Sequence, residues 1–118
     1  MRKRAKEFND FRRKMNERIL AEDNRVIKRV FSVDSLTYMD GALPAKTKEL
    51  LGLTASMVLR CDDCVAYHIG QSLETGSSRD EIMEAMSVAL VVGGSIVIPH
   101  LRRAVAFLDE ITDTMPGN

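Results

Sequence analysis

An all-α fold of about five to six helices is predicted by three observations on the 118-residue sequence. Apolar residues recur at helical spacing through most of the chain. Aromatic residues make up only 5%, with no Trp and only 3 Pro, a balance that favours helices filled by Leu, Met, Val and Ala. Helix start and stop signals also fall between the periodic segments, the clearest being Ser78 followed by Glu81. The chain is 45% hydrophobic and 29% charged, enough to bury a core. Its length bounds it to one domain, expected to span residues 1–118.

The first element is expected to be one long amphipathic helix over residues 1–31, because Phe8, Phe11, Met15, Ile19, Val26 and Val30 keep roughly helical spacing. Such a helix is longer than one small core needs, so part of it is expected to pack on another subunit. Turn residues between Ser32 and Leu43 predict a short helical turn, then a helix with Pro44 near its first position. A catalytic helical core is expected over residues 44–113.

Within that core, Leu50, Leu51, Leu53, Met57 and Val58 form one helical stripe. The next helix starts at the cysteines, with Asp62 and Asp63 in the first turn where the macrodipole favours acids and Gly76 just past the end. Its inward face is expected to carry Cys64, Val65, His68, Ile69, Ser72 and Leu73. The capping box at Ser78 opens a helix from Arg79 to about Gly94. Its segment Ala85–Val92, apolar nearly all round, reads as central and buried, although the valines and isoleucines from Val88 to Ile98 also suit a strand. Gly93 and Gly94 either form a bulge or end a helix. Pro99 fits the first turn of a last helix that turns Leu101, Ala104, Val105, Leu108 and Ile111 inward.

Charge narrows the partners. The sequence balances 17 Lys and Arg against 17 Asp and Glu, but residues 1–30 carry 11 basic and 5 acidic side chains, so the arm is basic and the body acidic. The arm's charges alternate as i,i+4 pairs on a solvated face would, so no nucleic-acid partner is expected. MRKRAKEF leads into no apolar run or cleavage site, so no secretory signal is read and a cytoplasmic location is expected. No membrane association is expected either. The longest apolar stretch, Met86–Pro99, is interrupted by Ser and Gly and is shorter than the roughly 20 residues a bilayer requires.

The chemistry concentrates in Cys61-Asp62-Asp63-Cys64 and the Val65-Ala66-Tyr67-His68 that follows. On a helix, Cys64 and His68 are i,i+4 neighbours and Cys61 lies one turn before Cys64, so two thiols and an imidazole converge. A helix N-terminus and a nearby imidazole lower a thiol pKa from about 8.5, and a second cysteine in reach converts a sulfenic acid to a disulfide. Other readings of the same residues stand beside this one. Cys61, Cys64, His68 and His100 are the right types for structural zinc, though not at zinc-finger separations. A thioredoxin-like domain would use the pair too, but needs strands; inert buried cysteines need nothing. Haem attachment fails because Val65 follows Cys64 where a His is required. Tyr38 and Tyr67 could line a pocket, and His100 reads more readily as a satisfied core histidine than as a second active-site group.

Glu49, twelve positions before Cys61, completes a pattern with Cys61, Cys64 and His68 that resembles the core motif of the AhpD-like alkylhydroperoxidases in the carboxymuconolactone decarboxylase superfamily. The resemblance covers about residues 40–110 and includes the run VALVVGGSIVIPHLRRAVAF. It implies an AhpD-like helical bundle that assembles as a homo-oligomer, a trimer or hexamer. It further implies Cys64 as the peroxidatic cysteine, Cys61 as its resolving partner, and His68 and Glu49 as a proton relay. The implied activity is reduction of hydroperoxides through a Cys64 sulfenic acid and a Cys61–Cys64 disulfide. No bound cofactor is implied, and an external dithiol, of lipoyl type in the family's best-known branch, restores the thiols. Asp63 stands where that branch has a histidine, and carboxylates beside a thiol oppose its ionisation, which predicts a slower peroxidase or a different substrate. Lactone decarboxylation, the superfamily's other activity, does not work through a cysteine pair. A redox-sensing or structural oligomer is the alternative outside catalysis.

Overall fold

The computed structural model describes residues 3–112; the outer ends of the expected 1–31 helix and 44–113 core lie outside the described residues. Six α-helices follow one another: α1 (Lys3–Leu20), α2 (Arg25–Thr37), α3 (Ala45–Val58), α4 (Asp62–Glu74), α5 (Arg79–Gly93) and α6 (Ile98–Thr112), with a 3₁₀ turn over Ser95–Val97. The described residues contain no strand, so the strand reading of Val88–Ile98 is not realised and a thioredoxin-like architecture is excluded.

The expected single N-terminal helix is two helices. Asp23 takes a left-handed conformation (φ 58°), and Asn24 then caps α2 by accepting a hydrogen bond from the Ile27 N–H. The apolar period survives across this break because both halves are amphipathic, which is why periodicity alone reads through it. The turn expected after Ser32 is displaced as well, since α2 continues to Thr37. Pro44 is the N-cap of α3 rather than a residue inside it, with φ −71° and ψ 156°.

The core lies where α3, α4, α5 and α6 meet, with Leu53, Met57, Ile69, Ile82, Met86 and Leu108 fully buried. Each contributes about 1.5–3 kcal/mol of burial free energy before chain entropy is counted. Thr54 on α3 ties this layer to α5 by donating its hydroxyl to the Ala85 carbonyl at 3.1 Å. At the far end Arg79 Nη2 lies 2.6 Å from Asp109 Oδ1, joining the start of α5 to α6.

Two helix ends fix the geometry that matters for chemistry. Helix α3 stops in a Schellman turn: Arg60 is left-handed (φ 61°), its N–H donates to Met57, and the Cys61 N–H donates to Ser56 at 3.0 Å. Helix α4 ends the same way around Gly76 (φ 97°), with Ser77 N–H donating to Ser72. The capping box at Ser78 is present with both reciprocal hydrogen bonds. After α5, Gly94 takes φ 83°, and Gly93 packs so closely that a Cβ there would lie 2.5 Å from Val97, so the glycine pair ends one helix and lets the next approach.

Helix α1 docks through its first turns. Glu110 on α6, itself buried, accepts from Arg4 Nε at 2.8 Å and from the Ala5 N–H at 3.3 Å, while Phe8 meets Phe107 edge-to-face at 5.7 Å. Helix α2 has no buried residue. The expectation that Ala85–Val92 is buried all round is also corrected: Ala89 is buried, but Val88, Val91 and Val92 are exposed in the single chain. No helix among the described residues is long and apolar enough to cross a membrane.

Candidate active site

The Schellman turn at Arg60 swings Cys61 out of α3 and sets it as the N-cap of α4, where its sulfur accepts from the Cys64 N–H at 3.2 Å. Cys61 and Cys64 are joined by a disulfide across the first turn, their Cα atoms 5.3 Å apart. Cys64, expected on the inward face, is exposed, because the first turn of α4 rises above the packed layer before Val65, His68 and Ile69 enter it.

One turn further on, His68 is buried with Glu49 from α3, its Nδ1 2.8 Å from Glu49 Oε1. An ionised carboxylate only accepts, so Nδ1 carries the proton and Nε2 presents its lone pair. Tyr38 Oη, from the residue that closes α2, lies 3.4 Å from that Nε2, and the Tyr67 ring stands edge-on to the imidazole at 5.1 Å. Burial pushes the Tyr38 hydroxyl pKa above its ordinary value, and the Glu49 charge adds to the effect. Burial likewise raises that of Tyr67, with Arg12 pulling the other way. Both phenols therefore remain protonated at neutral pH.

Gly52 makes this packing possible. A Cβ at that position would lie 2.7 Å from His68 Cε1 and 2.7 Å from Tyr38 Oη, so only a glycine on α3 lets the imidazole and the phenol close over the helix. Sequence reasoning passes over Gly52. Its one signal was a helix-breaking residue inside an otherwise strong apolar stripe.

The two acids between the cysteines differ. Asp62 is held by α6, with Oδ1 2.7 Å from His100 Nδ1 and Oδ2 3.5 Å from Arg103 Nη1. His100 is thus a partnered, half-buried histidine, and Asp62 has cationic company that offsets its charge. Asp63 stays exposed at the rim of a cavity of about 370 Å³ that opens on Cys64 and His68. Five of the residues lining that cavity come from α1, among them Arg12, whose guanidinium sits 4.0 Å over the Tyr67 ring. The role of α1 was not legible in the sequence, because a charged amphipathic helix reads as a solvated face. No group of three or more His, Cys, Asp or Glu side chains among the described residues is arranged to hold a metal ion, and the two histidines turn to separate carboxylates.

The structure therefore brings Cys61, Cys64, His68 and Glu49 together. The disulfide places the cysteine pair at a helix N-terminus, and the buried pair below it supplies a carboxylate-oriented imidazole.

Comparison with known proteins gives the family and the fold. The sequence profile of the carboxymuconolactone decarboxylase family matches residues 27–107. An uncharacterized protein of Paracoccus denitrificans, from its cox locus, is 31% identical over 80 residues, covering 68% of this chain and 72% of its own length. An uncharacterized protein of Cupriavidus necator is 32% identical over 72 residues, which span 61% of this chain and 64% of that protein. A crystal structure of a Thermotoga maritima protein superimposes with a TM-score of 0.88 at 55% identity, covering 92% of this chain and 95% of that one. One crystal structure from that organism, at 53% identity and a TM-score of 0.86 over 91% of each chain, is described as a carboxymuconolactone decarboxylase family protein with a suggested involvement in the antioxidative response. A Legionella pneumophila protein of the family shares the fold at 20% identity, with a TM-score of 0.84 over 92% of this chain and 97% of that one. The chain belongs to the carboxymuconolactone decarboxylase family.

Proposed function

We propose that this protein is a thiol-dependent peroxidase that reduces hydroperoxides and is recharged by an external dithiol. The observation that carries the reading is the Cys61–Cys64 disulfide closed across the first turn of α4, one turn above the buried Glu49–His68 pair. The suggested antioxidative involvement of the Thermotoga maritima neighbour points the same way.

In the reduced protein the Cys64 thiol gives up its proton toward His68, whose orientation and developing charge Glu49 supports. The thiolate attacks the terminal peroxide oxygen, the O–O bond breaks, and the alkoxide leaves as the alcohol on taking up that proton. Cys64 is now a sulfenic acid. The Cys61 thiol attacks its sulfur, water departs, and the disulfide closes. A donor dithiol then attacks the disulfide, is itself oxidised, and returns both thiols. A lipoyl-type group suits this step, and a cytoplasmic location would keep such donors reduced. No resident cofactor takes part in the cycle.

We further propose that the chain works as a homo-oligomer, a trimer or hexamer. Supporting this, Leu51, Leu59, Val88 and Val92 are exposed in the single chain and line one apolar groove along α3 and α5, surface that a soluble monomer seldom leaves uncovered.

Cysteine variants test the assignment of roles. Cys64→Ser should abolish peroxide consumption, whereas Cys61→Ser should react once and accumulate a sulfenic acid that dimedone traps. Equal bursts from both variants would refute it. Lactone decarboxylation has no use for the cysteine pair, and a redox sensor would oxidise once without turning over.

A further inference from the structure

We infer that Tyr38 is a positioning residue for His68: its hydroxyl receives the Nε2–H that forms when Cys64 gives up its proton, and Lys48 holds the phenol where it can do so. This rests on the proton transfer of the peroxidase reading and adds two residues to it.

The Nδ1 of His68 is already committed. It lies 2.8 Å from Glu49 Oε1 and, facing a carboxylate, carries its proton, so an arriving proton has only Nε2 to settle on. The polar atom beside Nε2 is Tyr38 Oη at 3.4 Å. While the imidazole is neutral the phenol donates to the Nε2 lone pair, and at that length the bond is weak. Once Nε2 is protonated the hydroxyl turns its own hydrogen away and accepts, because a phenolic oxygen can do either. A hydrogen bond from an ionised donor is shorter and roughly twice as strong, so the contact tightens with charge and favours the protonated ring. Only one proton moves: the Cys64 S–H bond breaks, the Nε2–H bond forms, and Tyr38 keeps its own hydrogen. Burial and the Glu49 charge keep the phenol neutral throughout by raising its pKa. His68 is itself buried, so without that oxygen the new N–H would have no partner in place.

The phenol is held from α3. Helix α2 buries no residue, so packing of α2 does not fix Tyr38, which closes it. Lys48 does, by donating to the Thr37 carbonyl at 2.9 Å and to the Met39 carbonyl at 2.7 Å, on either side of Tyr38. Lys48 directly precedes Glu49 on α3, so one helical turn fixes both partners of the imidazole, the carboxylate directly and the phenol through its clamped backbone. Gly52, one turn further along, leaves the space in which ring and phenol meet.

The other charged or titratable groups around the ring are Tyr67, which meets it edge-on, Asp63 of α4, Arg12 of α1 and Asp34 of α2. His100 and Arg103 of α6 turn to Asp62 instead.

The test is the pH profile of iodoacetamide alkylation of the reduced full chain, read by intact mass, in a Cys61→Ser background where Cys64 is the remaining thiol. Tyr38→Phe keeps the ring and removes the hydroxyl. It should move the midpoint of the profile up by about half to one pH unit, slowing alkylation near neutral pH about threefold to tenfold, and leave the alkaline plateau unchanged. A midpoint that stays in place, or a loss of equal size at every pH, overturns the role of Tyr38. Lys48→Met, which leaves the phenol itself intact, should shift the midpoint in the same direction and add little when combined with Tyr38→Phe; fully additive shifts overturn the clamp. Thermal melting checks that the variants fold. Peroxide consumption with dihydrolipoamide is read separately: a wild type that consumes none overturns the peroxidase reading, while a shifted midpoint still supports the role of Tyr38.

Discussion

Glu49 and His68 are each useful only because the other is there. Both are buried, and a lone charge at either position would be uncompensated, so truncating Glu49 to Ala should cost about 3 kcal/mol in unfolding free energy. Glu49→Gln keeps a hydrogen-bond acceptor for Nδ1 while removing the charge that supports imidazolium. It should leave the melting temperature within a few degrees and slow Cys64 oxidation by about a hundredfold, read by stopped-flow thiol loss. Gly52→Ala separates site from scaffold in the opposite sense. Alanine is the better helix former by about 1 kcal/mol, yet its methyl would collide with His68 and Tyr38. The expected result is a folded protein whose peroxide turnover falls roughly ten- to hundredfold through a misplaced imidazole. These residues also mark how far the sequence could be read. The spacing of Cys61, Cys64 and His68 assembles on any helix, so it is visible in one dimension. The partners of that helix, Tyr38, Gly52 and Arg12, meet it only through the crossing of α1, α2 and α3 over α4, and no local spacing encodes a crossing.

At the scale of single helices, the ends marked by Gly76 and by the Ser78–Glu81 box were legible, and the breaks where an ordinary residue turns left-handed were not. Ser78 with Glu81, and the acids opening α4, are compositional signals and fall where they were expected. The breaks at Asp23 and Arg60 place ordinary residues in the left-handed region, which composition does not announce. Arg60→Gly should therefore be neutral to stabilising, by up to about 1 kcal/mol, whereas Arg60→Val should destabilise; chemical denaturation measures both. The capping box makes a pH prediction. The Ser78 N–H and Lys46 hold the Glu81 carboxyl below its ordinary range, so the folded state binds its proton less readily than the unfolded chain. That contribution is complete above the unfolded carboxylate range and is lost as pH falls through the lowered folded value. Glu81→Gln should flatten the acid limb of the melting-temperature profile. Ser78→Ala, which removes the cap itself, should cost about 1 kcal/mol at neutral pH.

For the whole molecule, the apolar surface of α3 and α5 is the feature that a single chain leaves unexplained. Val91 is 86% exposed and Val92 68%, residues that a sequence reading sends to the core because apolar runs look alike whether a helix or another subunit covers them. If the protein works as an oligomer, Val91→Glu together with Val88→Glu should release monomers in analytical ultracentrifugation while circular dichroism stays helical. Unchanged sedimentation would remove this face from the assembly. The all-α class itself was legible because periodicity, capping and composition agreed. What the bundle adds is the closure of α1 over α4, which turns a reactive helix end into a cavity.

A peroxidase of this kind cycles Cys61 and Cys64 between thiols and disulfide while consuming peroxide. The most direct test is intact mass of the reduced, metal-free protein before and after one equivalent of an organic hydroperoxide, then after added dihydrolipoamide, over repeated rounds. Catalytic cycling should give loss of two hydrogens, full recovery with the dithiol, and peroxide consumed in every round. A mass that does not change on oxidation, or a disulfide that forms once and is not turned over by the dithiol, would contradict it.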